Sequence, residues 1–90
     1  MYIIVIGCGA IGKSLVTHLI GEGHEVVIIE RDDERAKSLA ESLDAIVIHG
    51  DGSSTEILKD AGVERADAVA VLTADDNTNL TICQILKKFK

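Results

Sequence analysis

Apolar residues along this chain alternate between two spacings, which predict strands and helices in turn. The continuous β-branched run "YIIVI" (Tyr2–Ile6) is typical of a strand buried in a parallel sheet. Apolar residues then recur at helical spacing from Ile11 to Ile20, and Gly21 or Gly23 ends this predicted helix. The same pair of patterns follows three more times. The spacing therefore predicts four strands that alternate with four helices.

The three later strands are predicted where short apolar runs return, over residues 25–29, 45–48 and 68–72. Because a helical segment separates each strand from the next, the strands must run parallel and be joined by right-handed crossovers. The predicted fold class is α/β, a Rossmann-like parallel sheet of four strands in the order 3-2-1-4 with helices on both faces. A chain of 90 residues has room for one such domain, 1–90.

Capping residues mark the starts of the second and third helices. Asp32 or Asp33 can cap the second helix. Ser53 and Glu56 have the spacing of a capping box, which would open a third helix that Gly62 ends. The core-facing residues of the second helix are predicted to be Ala36, Leu39, Ala40 and Leu43.

Composition narrows the classes of partner. The net charge is −6, and we expect neither nucleic acid nor an anionic membrane surface as a direct partner, because both require clustered Lys and Arg. No apolar run approaches the roughly 18 to 20 residues of a membrane span, so no direct membrane insertion is expected. The two cysteines have no metal-ligand spacing. We therefore predict a cytoplasmic location and no metal site.

The segment "IGCGAIGKS" (Ile6–Ser14) fits two nucleotide-binding motifs at once. Gly7, Gly9 and Gly12 form the G-x-G-x-x-G turn of a Rossmann unit, whereas the same letters read as G-x-x-x-x-G-K-S form a Walker A loop. Both motifs bind a phosphate on backbone N–H groups at a helix N-terminus. The segment by itself predicts a phosphate site and leaves its class open.

Glu30 favours the Rossmann interpretation. It ends "VVIIE", 18 residues after Gly12 (30 − 12), where a Rossmann unit needs a carboxylate to accept hydrogen bonds from a ribose diol. Walker A does not require Gly9, which in a Rossmann turn lets a pyrophosphate approach the backbone. Lys13 then becomes an ordinary, solvent-facing residue. A carboxylate at position 30 also disfavours the 2′-phosphate of NADP, although Arg31 partly offsets that repulsion.

Three motifs in order extend this pattern over the whole chain: "VIGCGAIGKSLVTHLIGEGHEVVIIERD", "VIHGDGSSTEILKDAGVERAD" and "AVAVLTADDNTNLTICQ". The second and third are more specific than the glycine turn. On these motifs the chain resembles the N-terminal NAD-binding domain, called KTN, RCK-N or TrkA-N, of the Trk/Ktr potassium-transport regulators. The family domain continues with further strands, so the resemblance implies that the last strands are lacking here.

The resemblance implies a nucleotide site at one edge of the sheet. The backbone of residues 7–11 would hold the phosphates and Glu30 the adenosine ribose. Asp51 would lie beside the adenine, and Thr73 with Ala74 would line the site where the fourth strand ends. The complete set of implied cofactor-binding residues is Gly7, Cys8, Gly9, Ala10, Ile11, Gly12, Glu30, Arg31, Asp51, Thr73 and Ala74.

The resemblance also implies a function. Family members bind NAD(H) or adenine mononucleotides, and some use an arginine inside the glycine turn, where this chain has Ala10. NAD(H) is therefore the expected ligand, with AMP, ADP or ATP as alternatives. The implied role is a non-enzymatic regulatory domain that acts on a membrane potassium transporter or channel subunit at the inner face of the membrane. The cofactor-binding half of an NAD-dependent dehydrogenase is the alternative, and a P-loop NTPase is third.

The fourth helix, predicted over residues 75–89, carries more apolar surface than one side of a sheet can cover. Its apolar residues are Leu80, Ile82, Cys83, Ile85, Leu86 and Phe89. They span an arc of about 220°, against roughly 100° for a helix that covers one face. The fourth strand is also expected at a sheet edge, which invites pairing. We therefore predict a homo-oligomer, at least a dimer, with Ile82, Ile85 and Phe89 in the contact.

Overall fold

The computed structural model describes residues 1–89, in which a four-stranded parallel sheet lies between two layers of helices. The strands are β1 (Tyr2–Ile6), β2 (Glu25–Glu30), β3 (Ile46–His49) and β4 (Ala68–Val71). The helices are α1 (Ala10–Gly21), α2 (Asp33–Ser42), α3 (Thr55–Asp60) and α4 (Asp76–Leu86), with short 3-10 turns at Val63–Arg65 and Lys87–Phe89. The strand order β3-β2-β1-β4 confirms the predicted α/β class. Within residues 1–89, no helix has the length and apolar character that crossing a membrane requires.

The strand register aligns the carboxyl ends of all four strands. Ile6 of β1 pairs with Ile29 of β2 and with Val71 of β4, and Ile29 pairs in turn with Ile48 of β3. Because the strands are parallel, the segments that follow these residues leave the sheet at the same edge. Open parallel sheets bind ligands at this edge. The register thus brings together the glycine turn, the end of β2 and the loops after β3 and β4.

Each face of the sheet has its own core, because the strands are buried on both sides. Ile6 lies on one face with Leu58 of α3 and Ile82 of α4. Val5, the preceding residue, points to the other face and packs with Val16 of α1 and with α2. The unbroken apolar runs of the sequence are explained by this arrangement, since a strand covered by helices on both faces needs apolar residues at successive positions.

The third helix begins one residue later than the capping-box spacing predicted. Ser54 is the N-cap, and its Oγ accepts a hydrogen bond from the Ile57 N–H at 3.4 Å. Ser53 instead donates its backbone N–H and its hydroxyl to Asp51 Oδ1, at 2.9 and 2.8 Å. The capping-box prediction was wrong because the Asp51 side chain holds Ser53 in a local turn, a competing use of short polar side chains.

One position predicted to face the core is exposed. Ala40 of α2 is exposed, whereas Ala36 and Leu39 are buried. The core-facing stripe of α2 is therefore narrower than the apolar pattern predicted. Ile11, near the start of α1, is 82% exposed, because α1 begins at Ala10 and its first turn stands at the edge of the sheet.

The apolar side of α4 is used inside the domain. Ile82 is 1% exposed in the core that α3 and α4 share, and Ile85 and Phe89 are half-buried against that core. The prediction that Ile82 contacts a second copy was therefore wrong, because its side chain is inaccessible. The exposed apolar positions of α4 are Leu80 and Cys83. The strand β4 is an edge strand of the described sheet, as predicted.

Candidate functional site

A cleft of about 880 Å³ opens at the carboxyl edge of the sheet, within the usual size range of small-molecule sites. Four segments line it: the turn after β1, the end of β2, the loop after β3 and the loop after β4. The predicted site residues that line the cleft are Gly7, Cys8, Gly9, Ala10, Ile11, Glu30, Arg31, Asp51, Thr73 and Ala74. Gly12 is the member of the predicted set that does not line it.

The three glycines of the turn differ in what an added side chain would contact. Gly7 has φ +81°, and a Cβ there would lie 2.9 Å from three atoms of Thr73. A Cβ on Gly12 would lie 3.3 Å from Cys8 Sγ and from the Gly7 carbonyl oxygen, so this glycine lets α1 pack closely on the turn. Gly9 has φ −84°, and no described atom lies within 4 Å of a Cβ built there. The fold therefore requires glycine at positions 7 and 12, whereas at position 9 it leaves the backbone open to the cleft.

The start of α1 offers free hydrogen-bond donors. Gly7 donates its N–H to the Ile29 carbonyl at 2.8 Å, and Cys8 donates its N–H to Glu30 Oε1 at 3.0 Å. The amides of residues 7 and 8, which belong to the predicted phosphate-binding backbone of residues 7–11, are therefore not free to bind a phosphate. The N–H groups of Gly9, Ala10 and Ile11 have no acceptor among residues 1–89, and these three residues are exposed. Unpaired amides at a helix N-terminus, together with the helix dipole, form an anion site. The turn therefore presents free donors of the kind that can bind a negatively charged group.

Glu30 is a buried carboxylate at the end of β2, with 4% of its surface exposed. Oε1 accepts a hydrogen bond from the Cys8 N–H at 3.0 Å, and Oε2 accepts one from the Asp32 N–H at 2.9 Å. Arg35 Nη1 lies 3.8 Å from Oε2. These partners compensate the buried charge, and each oxygen keeps a further lone pair for a ligand hydroxyl. The carboxylate is thus fixed in orientation and still able to accept hydrogen bonds.

The thiol of Cys8 is a packing group. Its side chain is 3% exposed and packs with Val5 and Val16 under α1. Burial, and then the nearby charge of Glu30, raise the pKa of the thiol above its ordinary value. The thiol therefore stays protonated at neutral pH. The side chain of Cys8 thus fills the space in the middle of the turn.

The loop after β3 contributes Asp51 between two glycines. Gly50 donates its N–H to the Glu30 carbonyl at 2.9 Å, and a Cβ on Gly52 would collide with Ile6 Cγ2. This loop is therefore pressed onto the end of β1, with Asp51 exposed at the cleft. Hydrogen bonds from the backbone and then the hydroxyl of Ser53 hold the pKa of the Asp51 carboxyl below its ordinary value.

The loop after β4 contributes Thr73 and Ala74 as predicted. Two further lining residues were not predicted, Asp75 in the same loop and Thr78 in the first turn of α4. Asp75 is the N-cap of α4, where it accepts hydrogen bonds from the Asn77 N–H at 3.0 Å and the Thr78 hydroxyl at 2.8 Å. The hydrogen bond from the Thr78 hydroxyl, followed by that from the backbone N–H of Asn77, lowers the pKa of the Asp75 carboxyl. The signal for both residues was present in "TADDNT", which has an aspartate at capping position before a helix.

The rim of the cleft carries charges of both signs. Asp32, Asp51 and Asp75 stand near Arg31 and Arg35, and the charge of Arg31 contributes to the lowered pKa of both Asp51 and Asp75. In the described part of the chain, no group of three or more His, Cys, Asp or Glu side chains is placed to hold a metal ion. Asp32 and Arg35 were not predicted as lining residues. Asp32 caps α2, where it accepts the Arg35 N–H at 2.8 Å.

Lys13 lies outside the cleft. It is exposed and lines a separate shallow groove on α1 with Ser14 and Thr17. A Walker A lysine must reach the terminal phosphates of the nucleotide. The position of Lys13, together with the strand order, agrees with the Rossmann interpretation of the turn.

Comparison with known proteins gives one family. Residues 3–90 match the family model of the TrkA-N domain. The chain is 41% identical over 87 residues to the "Trk system potassium uptake protein TrkA homolog" of Pyrococcus abyssi, which covers 97% of this chain and 38% of that protein. It is 33% identical over 85 residues to the "Trk system potassium uptake protein TrkA" of Vibrio alginolyticus, covering 94% of this chain and 19% of that protein. The chain thus spans well under half of these relatives' length.

Two solved structures are similar in fold. One is described as the NAD(P)-binding domain of an exopolyphosphatase-related protein from Archaeoglobus fulgidus, with a TM-score of 0.87, 26% identity and coverage of 98% of this chain and 65% of that chain. The other is the Shewanella denitrificans Kef CTD in AMP bound form, with a TM-score of 0.84, 19% identity and coverage of 98% and 52%. The second likeness, at this identity, concerns the fold alone.

Proposed function

The chain belongs to the TrkA-N domain family, and from this premise we propose that it is a regulatory nucleotide-binding domain for NAD(H) or an adenine nucleotide. One observation carries the proposal: the uncapped start of α1 faces the same cleft as the buried Glu30 carboxylate. The first offers donors to phosphate and the second offers acceptors to ribose hydroxyls. A nucleotide carries both groups, a few bonds apart.

The lining residues suggest how the ligand would lie. Its phosphates would sit on the N–H groups of residues 9–11, and its ribose diol on Glu30. The base would extend towards Asp51, and a second nucleotide half would pass Thr73 and Ala74. Ala10 supplies no charge for a terminal phosphate, which favours NAD(H) or AMP over ADP and ATP. The structural neighbour from Archaeoglobus fulgidus, described as an NAD(P)-binding domain, agrees with this class of ligand.

The proposed role is control of potassium uptake from the cytoplasmic face of a membrane transporter or channel subunit. Support comes from the two relatives, both of which are named as Trk system potassium uptake proteins. A ligand can bias such a partner only if it binds two assembly states with different affinity. The domain would therefore act by changing its contacts with other subunits when the nucleotide binds, with no chemical step.

We propose that these contacts include a second copy of the chain. Both outer strands of the described sheet, β3 and β4, have one unpaired edge, and Ile46 on β3 and Leu80 on α4 are 66% and 62% exposed. Exposed edges and apolar side chains favour pairing. Sedimentation should show no monomer at micromolar concentration, and Leu80→Glu should release one. A wild-type chain that sediments as a monomer would contradict this assembly.

The dehydrogenase alternative has less support in the cleft. Hydride transfer to or from a substrate needs a proton donor or acceptor near the nicotinamide, usually His, Lys or Tyr. None of the residues that line the cleft in the described chain is of these types. Reduction of NAD with candidate alcohol substrates would be the observation that restores this alternative.

Calorimetric titration with NADH, NAD, AMP, ADP and ATP tests the proposed function. We expect NAD(H) and AMP to bind more tightly than ADP and ATP, because position 10 inside the turn is alanine and supplies no charge for a terminal phosphate. Binding that requires Mg²⁺ and ATP, with release of phosphate, would favour the P-loop class. Failure of all five nucleotides to bind would overturn the proposal.

A further inference from the structure

Thr73 forms the wall against which the first glycine of the turn rests. A Cβ on Gly7 would lie 2.9 Å from the Thr73 N, Cα and Cγ2 atoms, so the Gly7 backbone is in direct contact with Thr73. The turn residues that follow Gly7 carry the free amides of the cleft. The position of Thr73 therefore sets the position of one side of the proposed phosphate site.

Strand pairing does not hold Thr73 in place. The strand β4 ends at Val71, and Leu72 makes the last bond to β1 by donating its N–H to the Ile6 carbonyl at 2.8 Å. At Thr73, the side chain of Asn79 provides the hydrogen bonds to the backbone that a neighbouring strand would otherwise make. Asn79 Oδ1 accepts the Thr73 N–H at 3.0 Å and also contacts the Thr73 hydroxyl, and Asn79 Nδ2 donates to the Thr73 carbonyl at 3.1 Å.

The orientation of this amide is fixed by its partners. Thr73 presents one backbone donor and one backbone acceptor, so the reverse orientation of Asn79 would place oxygen against oxygen and NH₂ against N–H. Asn79 itself lies in the first turn of α4, where its N–H donates to the Asp75 carbonyl at 3.0 Å. The side-chain amide thus takes the place of a neighbouring strand and connects α4 to the loop.

We infer that Asn79 is a positioning residue for the phosphate end of the cleft: by holding both backbone groups of Thr73, it keeps that residue against Gly7. This inference rests on the proposed function, since it concerns the same nucleotide site. Asn79 is not among the residues that line the cleft. Its effect is transmitted through Thr73 to the turn, and it should therefore act on the phosphate of a ligand more than on its nucleoside.

The test compares AMP with adenosine as probes of the wild-type chain and of Asn79→Ala. The variant is neutral, so no new charge faces the phosphate. We expect the AMP affinity to fall by about tenfold, the factor for one hydrogen bond between neutral groups at the upper end of the usual range. Adenosine affinity should change by less than about threefold. A purely structural role would lower both affinities alike, and that outcome would overturn the inference.

Asn77→Ala is the matched control, two residues away on the same helical turn, because Asn77 is exposed and makes no side-chain contact with Thr73 in the described chain. It should bind both probes as the wild type does. If the wild type binds AMP and Asn79→Ala binds it equally well, the inference fails while the proposed function stands. If the wild type binds neither probe, the inference fails, and the titration with NADH, NAD, ADP and ATP decides the proposed function separately.

A second test uses the wild type alone, so its outcome does not depend on whether a variant folds. The side-chain NH₂ groups of Asn77 and Asn79 give separate signals in ¹⁵N-resolved NMR spectra. AMP should shift the Asn79 signals together with the Gly9 amide and leave those of Asn77 in place, whereas adenosine should shift the Asn79 signals much less. Asn79 signals that stay unchanged at saturating AMP would overturn the inference.

Discussion

The helices α1 and α4 follow the neighbouring strands β1 and β4. The backbone N–H groups at the two helix N-termini nevertheless have different partners. At α4, Asp75 accepts hydrogen bonds from the Asn77 N–H and the Thr78 hydroxyl, and Asp76 adds a negative charge to the first turn. At α1, the cap is Gly9, which has no side chain, and the first turn has no acidic residue. Among the four α-helices of residues 1–89, α1 alone lacks a side-chain cap.

The difference indicates what each helix start is for. A capping side chain typically stabilises a helix by about 1 kcal/mol, so a sequence selected for stability alone would place one at each helix. Asp32, Ser54 and Asp75 follow this rule. The start of α1 lacks that stabilisation, and the amides of residues 9–11 have no acceptor in the described chain. The proposed function assigns that place to the phosphate of a nucleotide.

The largest expected effect on nucleotide binding comes from Gly9→Val, which adds a side chain at the start of α1. We expect nucleotide binding to be abolished, because a branched side chain at this position stands where the phosphate would approach the backbone. We expect the domain to remain folded, because φ −84° is allowed for valine and no described atom lies within 4 Å of the new Cβ. Calorimetry would measure binding, and circular dichroism would check the fold.

Gly21→Val at the other end of α1 is the matched control for that change, since a Cβ there also meets open space. It should leave nucleotide affinity unaltered. Gly7→Ala should behave differently from both variants and lose stability, because φ +81° and the contact with Thr73 oppose any side chain. Retained affinity in a folded Gly9→Val variant would remove the phosphate from the start of α1.

The next effect in size concerns the ribose. Glu30→Gln should weaken every ribonucleotide by about 1.5 to 3 kcal/mol, the range for a hydrogen bond to a charged group. The loss should be smaller for 2′,3′-dideoxy-AMP, which has no ribose hydroxyls to offer; what it keeps reflects the new NH₂ group, which faces the N–H of Cys8 or of Asp32 with either ligand. Glu34→Gln, on the exposed first turn of α2, makes the same charge change without touching the cleft and serves as the control. Equal losses for AMP and its dideoxy analogue would show that Glu30 does not hold the ribose.

A smaller effect is expected when the pH is lowered, because the start of α4 has a titratable capping side chain and the start of α1 has none. The pKa of Asp75 is lowered in the folded chain, chiefly by the Thr78 hydroxyl and then by the Asn77 amide. In the unfolded chain these bonds are absent, so the unfolded state takes up a proton first as the pH falls. The stabilisation is complete above the ordinary pKa of aspartate and is lost as the pH falls through the lower folded-state pKa.

Thermal unfolding of the wild type and of Asp75→Asn, measured across that pH range, would check this expectation. Asparagine also caps helices but does not titrate. The variant should therefore lose less stability on acidification than the wild type does, with Asp51 still contributing in both because its pKa is lowered too. Identical acid dependence of the two chains would mean that the cap at α4 does not respond to protonation.

The fold and most of the cleft could be predicted from the sequence because they depend on local signals. Unbroken β-branched runs specify buried strands, and a carboxylate at the end of "VVIIE" must emerge beside the glycine turn once the strands are parallel. What failed depended on competition between neighbours. Ser53 hydrogen-bonds to Asp51 and leaves the capping role to Ser54, and Ile82 packs in the core of its own chain. The spacing of apolar residues does not say which partner a side chain will meet.

The smallest expected effect concerns Lys13, and it best distinguishes the Rossmann motif from the Walker A motif in the glycine turn. Lys13→Ala should change nucleotide affinity by no more than a factor of about two, as surface substitutions away from a site usually do. Lys13 is exposed and does not line the cleft, so no phosphate on the amides of residues 9–11 requires its charge. In a P-loop the corresponding lysine reaches the β- and γ-phosphates, and its removal would weaken ATP far more than AMP. Titration of the variant with both nucleotides therefore separates the two motifs, and a loss of tenfold or more that is confined to ATP would assign this turn to the P-loop class.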